Sequence, residues 1–243
     1  MLNGLDLFSG IGGLSLALSE WVSPIAYCEI DPYCQGVLHS NISNNRLSRA
    51  PIWDDIRTLG INKIGNIPID IIYGGFPCQD ISIGGTQKGL EGQRSGLFFE
   101  MLRLAQEIRP QFIFIENVPG ITTNDGVRVV KEIAEVGYDC RWCIISADKF
   151  VDQKRHRWFL LAQSCSVRQH EGACERIQSE RQAGFYEEPS NYKLPDMESW
   201  GAFARSMRKD HGIPFKVDRI RTLGNSVVPQ QAKEAFKILM GLK

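Results

Sequence analysis

The chain has 243 residues, of which 43% are hydrophobic and 23% charged, so it is long enough for a sizeable core and shows no compositional sign of disorder. Its 28 basic and 28 acidic side chains balance, so net charge says nothing about partners. The charges are distributed unevenly, because residues 1–80 hold 4 basic and 8 acidic side chains, whereas residues 141–243 hold 18 and 12. A basic C-terminal part that faces a polyanion and ordinary scatter explain this asymmetry equally well.

Three further features narrow the class of protein. No apolar run approaches the length of a membrane span, and the first residues lack the basic start and apolar core of a signal peptide. Seven cysteines scattered along the chain fit a reducing compartment better than a disulfide framework. We therefore expect a cytoplasmic protein with no membrane partner.

The first predicted elements are a strand at residues 5–8, a glycine loop at residues 9–13 and a helix. The helix is indicated by Leu14, Leu18 and Trp21, which recur at helical spacing. Glycines allow a backbone to approach a ligand closely, and the start of a helix presents free N–H groups. The loop alone is a weak indication, because it does not complete the dinucleotide-binding fingerprint.

A second strand, at residues 24–28, ends at Glu29, about 20 residues beyond the glycine loop. Nucleoside-binding α/β folds place a carboxylate there to bind ribose hydroxyls, so Glu29 is the predicted ribose ligand. A helix is predicted from Pro32 to about residue 39. Asp55 follows a third short apolar stretch, where it could accept a hydrogen bond from an adenine amino group or cap a helix.

The strand predicted at residues 69–73 is followed by two glycines and then by Pro77, Cys78 and Gln79. In an open α/β sheet, ligands bind beyond the carboxyl ends of the strands, and this position suits a nucleophilic cysteine. The alternative is that Cys78 fills a small apolar space, since free cysteines are commonly buried and inert.

The segment at residues 83–96 contains five glycines together with Lys88 and Arg94. Glycine-rich loops of this length are uncommon unless they have a function, and one beside a nucleophile could close over a substrate. We therefore expect a basic loop that closes the site.

The next predicted strand, at residues 111–115, leads into Glu116, whose carboxyl group can face the same pocket as Cys78. A helix is predicted at residues 127–136 and a strand at residues 138–146. The second of these contains Cys140 and Cys143 in a C-x-x-C pattern. A zinc site is disfavoured there, because the pair lies within a strand and lacks a second pair.

Gln153, Arg155 and Arg157 lead into a strand at residues 158–162, and a period of two places these three side chains on one side. Two arginines that enter the end of a sheet together indicate an anion or a carbonyl-rich base nearby. Residues 163–218 are polar with little periodicity. An apolar stripe predicts a terminal helix at residues 230–239, which we expect simply to pack against the body of the domain.

Six segments, taken in order, resemble the motif set of the DNA cytosine-5 methyltransferases: residues 6–13, Glu29 with Asp31, residues 75–79, residues 116–118, Gln153 with Arg155 and Arg157, and residues 224–227. The resemblance implies an α/β fold, the Rossmann-like fold of S-adenosylmethionine-dependent methyltransferases, with a mixed, mostly parallel sheet and helices on both faces. Residues 1–162 plus 219–243 would form the catalytic and cofactor-binding domain. Residues 163–218 would form a reduced target-recognition region.

The resemblance also implies a catalytic mechanism. The thiolate of Cys78 would add to carbon 6 of cytosine, which makes carbon 5 nucleophilic towards the methyl group of S-adenosylmethionine. Glu116 would contact ring nitrogen 3 and the exocyclic amino group, Arg157 would hold the carbonyl of the base, and Arg155 would orient the constellation. S-adenosylhomocysteine would be the product, and no metal is required.

The remaining implied roles concern the cofactor and DNA. The residues implied to bind the cofactor are Phe8 against the adenine, the glycine loop with Gly10, Gly12 and Gly13, Glu29 on the ribose, Asp55 on the adenine amino group, Pro77, and Asn225. The residues implied to face double-stranded DNA are Gln79, Ser82, Lys88, Arg94 and Gln153. The target base would be flipped out of the duplex, because its reacting carbon is stacked inside it.

The sequence departs from the family mainly in its short recognition region, since only 66 residues separate the arginine and asparagine motifs. This compact form is similar to bacteriophage and prophage enzymes. The expected recognition sequence is then short or relaxed, or a partner supplies the specificity. A cognate restriction enzyme is a further expected partner. Two alternatives remain open: a tRNA cytosine-5 methyltransferase, and a non-catalytic relative that binds nucleic acid or cofactor.

Overall fold

The computed structural model describes residues 1–65, 67–77, 96–121, 126–152, 154–165 and 226–242. Seven of their strands form one sheet, in the order β3-β2-β1-β4-β5-β7-β6. The strands are β1 (Leu2–Leu7), β2 (Val22–Cys28), β3 (Ile52–Trp53), β4 (Ile71–Gly74), β5 (Phe112–Asn117), β6 (Tyr138–Ser146) and β7 (His156–Ser164). The helices are α1 (Gly13–Leu18), α2 (Pro32–Ser43), α3 (Ile61–Ile64), α4 (Leu97–Ile108), α5 (Gly126–Glu135) and α6 (Pro229–Met240).

The first five strands of the sheet order are parallel, whereas β7 pairs antiparallel with both β5 and β6. The central strands β4 and β5 are almost continuously apolar and buried, as expected for strands covered on both faces. The carboxyl ends of β1, β2, β4 and β5 therefore meet at one edge of the sheet. Ligands bind at this edge in open α/β folds.

Each face of the sheet has its own core. Side chains of α4 and α5, among them Phe98 and Ile133, pack on one face. Side chains of α1 and α6 pack on the other, where Phe236 of α6 meets Phe114 of β5 edge to face at 5.2 Å between ring centroids. This arrangement confirms the predicted α/β fold with a mixed, mostly parallel sheet and helices on both faces.

Some boundaries differ from the sequence-based expectation. Strand β5 continues to Asn117, so Glu116 lies within the strand, and β7 begins at His156, so Arg157 is also part of a strand. Pairing between β5 and β7 extends both strands, which local apolar patterning could not reveal. Strand β6 has the predicted bounds, and its Cys140 and Cys143 pack against the cores of opposite faces.

Among the described residues, none of the helices combines the length and the apolar character required to cross a bilayer. The predicted recognition region at residues 163–218 lies outside the described residues after Cys165. Its assignment as a separate unit remains a prediction.

Candidate active site

The acid of the site, Glu116, stands beside the end of β4. A Cβ atom built on Gly75 would lie 2.8 Å from Glu116 Oε2, so only a glycine leaves room for this carboxylate. Gly75 comes three residues before Cys78 in the chain. The parallel pairing of β4 with β5 therefore brings the acid to the segment that leads into the cysteine.

Arg157 approaches the same carboxylate from β7. Its Nε atom lies 2.9 Å from Glu116 Oε1, and the side chains are only 16% and 14% exposed. Arg155 points to a different partner, because its Nη2 donates to the carbonyl of Ser226 at 2.9 Å.

Burial raises the pKa of Glu116 above its usual value of 4.5, and the positive charges of Arg157 and Arg155 oppose that rise. The net direction is upward because desolvation of the carboxylate is the larger effect. A carboxyl group with a raised pKa holds a proton at a higher pH than usual. It is therefore suited to donate a hydrogen bond or proton to a ring nitrogen.

The backbone before the cysteine is fixed from two sides. Phe76 is buried, with its ring 5.1 Å from that of Phe98, and its carbonyl accepts from Asn117 Nδ2 at 3.3 Å. Pro77 is half-buried and ends this described stretch. The predicted site residues Cys78, Gln79, Ser82, Lys88, Arg94, Gln153 and Asn225 lie outside the described residues.

The predicted cofactor loop lies between β1 and α1 at the same edge of the sheet. Phe8 has φ +55°, a left-handed conformation that is strained for an aromatic residue and clusters at functional sites. Gly10 also has φ +55°, and its amide donates to Glu29 Oε2 at 2.7 Å, while Asp31 N donates to Oε1 at 2.8 Å.

This loop fits a nucleoside ligand. A Cβ on Gly10 would meet no atom within 4 Å, so the glycine borders open space. Each oxygen of Glu29 accepts one backbone N–H and keeps a further lone pair, which a ribose hydroxyl could use. The glycine–carboxylate pair predicted from spacing is thus assembled.

Two of the predicted cofactor glycines have packing reasons for lacking a side chain. A Cβ on Gly12 would lie 2.3 Å from Leu47 Cδ1, and one on Gly13 would lie 2.7 Å from Val227 Cγ1. Gly12 also has φ +88°. The contact with Val227 links the cofactor loop to the chain just before α6, while cofactor contacts by these two glycines remain predictions.

Asp55 follows β3 as predicted, but its carboxylate is bound by a neighbour. Arg57 donates from Nε and Nη2 to the two carboxylate oxygens, at 2.9 and 2.6 Å. The hydrogen bonds from Arg57 lower the pKa of Asp55. Any contact of Asp55 with an adenine amino group must share the carboxylate with Arg57.

A buried acid beneath the loop was not predicted as part of the site. Asp6 is fully buried, its Oδ2 accepts from Ser15 Oγ at 2.5 Å, and Ser15 Oγ lies 2.7 Å from the hydroxyl of Tyr73. Burial raises the pKa of Asp6 to about 7. A Cβ on Gly4 would lie 2.6 Å from the Tyr73 ring, so that glycine makes room for the ring to reach Ser15.

Comparison with known proteins shows which family the chain belongs to. The family model described as C-5 cytosine-specific DNA methylase matches residues 2–199, which is more than half of the chain. The chain belongs to the C-5 cytosine-specific DNA methylase family. The predicted resemblance is confirmed.

Among the curated relatives, the chain is 31% identical over 234 residues to the Type II methyltransferase M.CviJI of Paramecium bursaria Chlorella virus IL3A, with 96% of this chain and 58% of the relative covered. It is 34% identical over 166 residues to the Type II methyltransferase M.HhaI of Haemophilus parahaemolyticus, with 66% and 48% covered. The chain thus spans about half the length of these relatives.

One solved structure that resembles the chain is described as a DNA modification methyltransferase encoded within a prophage of E. coli. It superposes with a TM-score of 0.56 and 29% identity, over 69% of this chain and 48% of that protein. Spodoptera frugiperda DNMT2, at 20% identity and a TM-score of 0.55, shares the fold. Both likenesses agree with the Rossmann-like methyltransferase architecture.

Proposed function

We propose that this chain transfers a methyl group from S-adenosylmethionine to carbon 5 of a cytosine flipped out of double-stranded DNA, through a covalent adduct with Cys78. The observation that carries the proposal is the convergence of Glu116, Arg157 and Gly75 at the end of the strand that leads to Cys78. Membership of the family supplies the reaction class.

Each group at this edge has a task in that reaction. The Cys78 thiolate would add to carbon 6 and be eliminated at the end, after loss of the proton from carbon 5. Glu116 would donate to ring nitrogen 3, which stabilises the electron density that the addition pushes into the ring. Arg157 pairs with the carboxylate of Glu116. It would neutralise that carboxylate once the proton has left, and it would hold the carbonyl of the base.

The cofactor would supply the methyl group as an electrophile. The chain's own contribution is to bind and orient it: Glu29 would take the ribose hydroxyls, Phe8 would stack on the adenine, and Gly10 would leave room for the ligand. Asp55, Pro77 and Asn225 remain predicted contacts, and S-adenosylhomocysteine would be released.

Selection of the target cytosine is assigned to predicted DNA contacts and to the predicted recognition region. The predicted DNA contacts Gln79, Ser82, Lys88, Arg94 and Gln153, together with the reduced recognition region, belong to segments outside the described residues. A short recognition sequence, a separate specificity partner and a cognate restriction enzyme all remain predictions. So does the cytoplasmic location.

The function is tested with S-adenosylmethionine labelled in the methyl group. We expect label to enter duplex DNA with the wild-type protein and transfer to fall to background with Cys78→Ser, because the hydroxyl is a far weaker nucleophile at neutral pH. The control Cys34→Ser changes a buried cysteine of α2 and should retain transfer.

A parallel incubation with tRNA tests the alternative substrate. Transfer to DNA that survives Cys78→Ser would contradict the covalent mechanism. Transfer to tRNA alone would contradict the substrate. Binding of cofactor or DNA without transfer to either would favour the non-catalytic alternative. Mapping the methylated cytosines on a DNA library then reads out the recognition sequence.

A further inference from the structure

The terminal helix α6 carries one polar side chain on its buried face. Gln231 is completely buried among Ala232, Ala235 and Phe236. A buried amide in an apolar surrounding is costly unless its hydrogen bonds are made, so its partners indicate what the residue does.

Both partners lie where β6 ends and β7 begins. Gln231 Nε2 donates to the carbonyl of Ile145 at 2.7 Å and to the carbonyl of Arg155 at 2.8 Å. These are two acceptors, so the nitrogen of the amide must face them, and both of its hydrogens are used. The Oε1 atom has no hydrogen-bond partner among the described residues. The hydrogen bonds of the side chain are therefore those that Nε2 donates.

The same stretch of chain also holds the side chain of Arg155. The carbonyl of Ser226 accepts from Arg155 Nη2 at 2.9 Å, while Val227 fills the space beside Gly13 in the cofactor loop. The segment from Ser226 to Gln231 therefore contacts Arg155 at its backbone and at its guanidinium group. It holds the arginine from both ends.

Arg155 acts on the catalytic acid through its charge. Its guanidinium opposes the rise in the pKa of Glu116, alongside Arg157. The electrostatic effect depends on where the guanidinium stands, since a Coulomb interaction changes with distance. Displacement of the Arg155 backbone would thus alter the proton affinity of Glu116 without any contact to substrate.

We propose that Gln231 is a positioning residue. It fixes Arg155 against β6 and thereby sets the electrostatic environment of Glu116. The inference rests on the proposed function for its catalytic consequence, but its structural part concerns the protein without ligands. Helix α6 is then more than a cover for the sheet: it contributes a second donor to the Arg155 carbonyl, which also accepts from the amide of Ala147 at 2.9 Å.

The test uses Gln231→Met, which keeps a similar length and removes both donors. In the ligand-free protein we expect the pKa of the Glu116 carboxyl, followed by ¹³C NMR and assigned by its loss in Glu116→Gln, to move upward because Arg155 is less well placed. With DNA and cofactor we expect kcat to fall by about 10- to 100-fold. Affinity for S-adenosylmethionine by calorimetry should change less than about twofold, since Glu29 and Gly10 are untouched.

Gln230→Met is the matched control. It makes the same chemical change at the neighbouring residue of the same helix, whose side chain is exposed. It should leave both the titration and kcat as in the wild type. If Gln231→Met does not fold, Gln231→His takes its place. Its ring N–H can donate to one of the two carbonyls, so we expect a smaller effect than from loss of both donors.

The outcomes separate cleanly. A folded Gln231→Met protein with an unchanged Glu116 titration and unchanged kcat overturns the inference, and so does failure of both Gln231 variants to fold, which would make the role purely structural. Absence of methyl transfer by the wild type would instead refute the proposed function. The ligand-free titration would still decide the placement of Arg155.

Discussion

Asp6 shows what a single side chain does beneath the cofactor loop. Its carboxyl group has no exposed surface, and only Oδ2 is hydrogen-bonded, to Ser15, while Oδ1 has no hydrogen-bond partner among the described residues. An ionised carboxylate with so few donors is poorly solvated, which is why burial raises its pKa to about 7. The side chain holds β1, α1 and β4 together through Ser15 and Tyr73.

This predicts a pH-dependent difference in stability between Asp6→Asn and the wild type. The folded pKa lies above the usual value of 3.8, so the folded state binds the proton more tightly and loses stability as pH rises from about 4 to about 7. Each pKa unit corresponds to about 1.4 kcal/mol, so the free energy of unfolding of Asp6→Asn should gain about 4 kcal/mol on the wild type between about pH 4 and about pH 8.

Urea unfolding at a series of pH values measures this difference. Asp54→Asn, which changes an exposed acid after β3, serves as the control. A constant offset between Asp6→Asn and the wild type across the range would show that folding does not raise the pKa of Asp6.

At the level of elements, the catalytic acid depends on the close approach of β4 and β5. The two strands are paired in parallel from Ile71 to Gly74, and the chain continues through Gly75 beside the carboxylate of Glu116. The ion pair with Arg157 then joins β5 to β7. The site is built where β4 and β5 end and the antiparallel β7 begins, so its geometry follows from the spacing of these three strands.

Gly75→Ala should therefore impair catalysis more than folding. The added methyl group would stand 2.8 Å from Glu116 Oε2 and push the carboxylate away from its place beside Arg157. We expect kcat to fall by about 10- to 100-fold, since small displacements of catalytic groups have effects of this size.

The measurement is a comparison of steady-state methyl transfer with the thermal unfolding midpoint. Gly36→Ala serves as the control, because a Cβ at that position of α2 meets no atom within 4 Å, and alanine stabilises helices relative to glycine. Wild-type kcat in a folded Gly75→Ala protein would mean that Glu116 can move without loss.

For the molecule as a whole, the end of the chain completes the core. The buried face of α6 packs against α1, β6 and β7, with Ala232, Ala235 and Phe236 fully buried. Burial of one large apolar side chain stabilises the folded state by about 1.5–3 kcal/mol. Without α6, the part of this face formed by β6 and β7 would lose its cover.

We accordingly expect a fragment of residues 1–225 to lose cooperative unfolding and to regain it when a peptide of residues 226–243 is added. A peptide with Phe236→Ala should bind at least about 100-fold more weakly, because loss of a buried phenylalanine costs about 3–5 kcal/mol. Circular dichroism during titration with each peptide provides the measurement. Equal restoration by both peptides would show that the aromatic contact with Phe114 is unimportant.

Sequence by itself determined the parts that depend on local pattern. Apolar runs followed by glycines marked β1, β4 and the loops after them, and the order of six short motifs indicated the family that the family model confirms. The spacing from the glycine loop to Glu29 also pointed to a pair that the structure assembles through the Gly10 amide.

Tertiary structure decided what depends on contacts between distant segments. Gly75 and Glu116 are far apart in the chain, and only strand pairing shows that the glycine makes room for the acid. Gln231 was expected merely to belong to a packing helix, because an apolar stripe does not reveal which carbonyls a polar neighbour will reach. The physical reason is that periodicity records burial, whereas hydrogen bonding and proton affinity depend on which charges and dipoles the fold brings together.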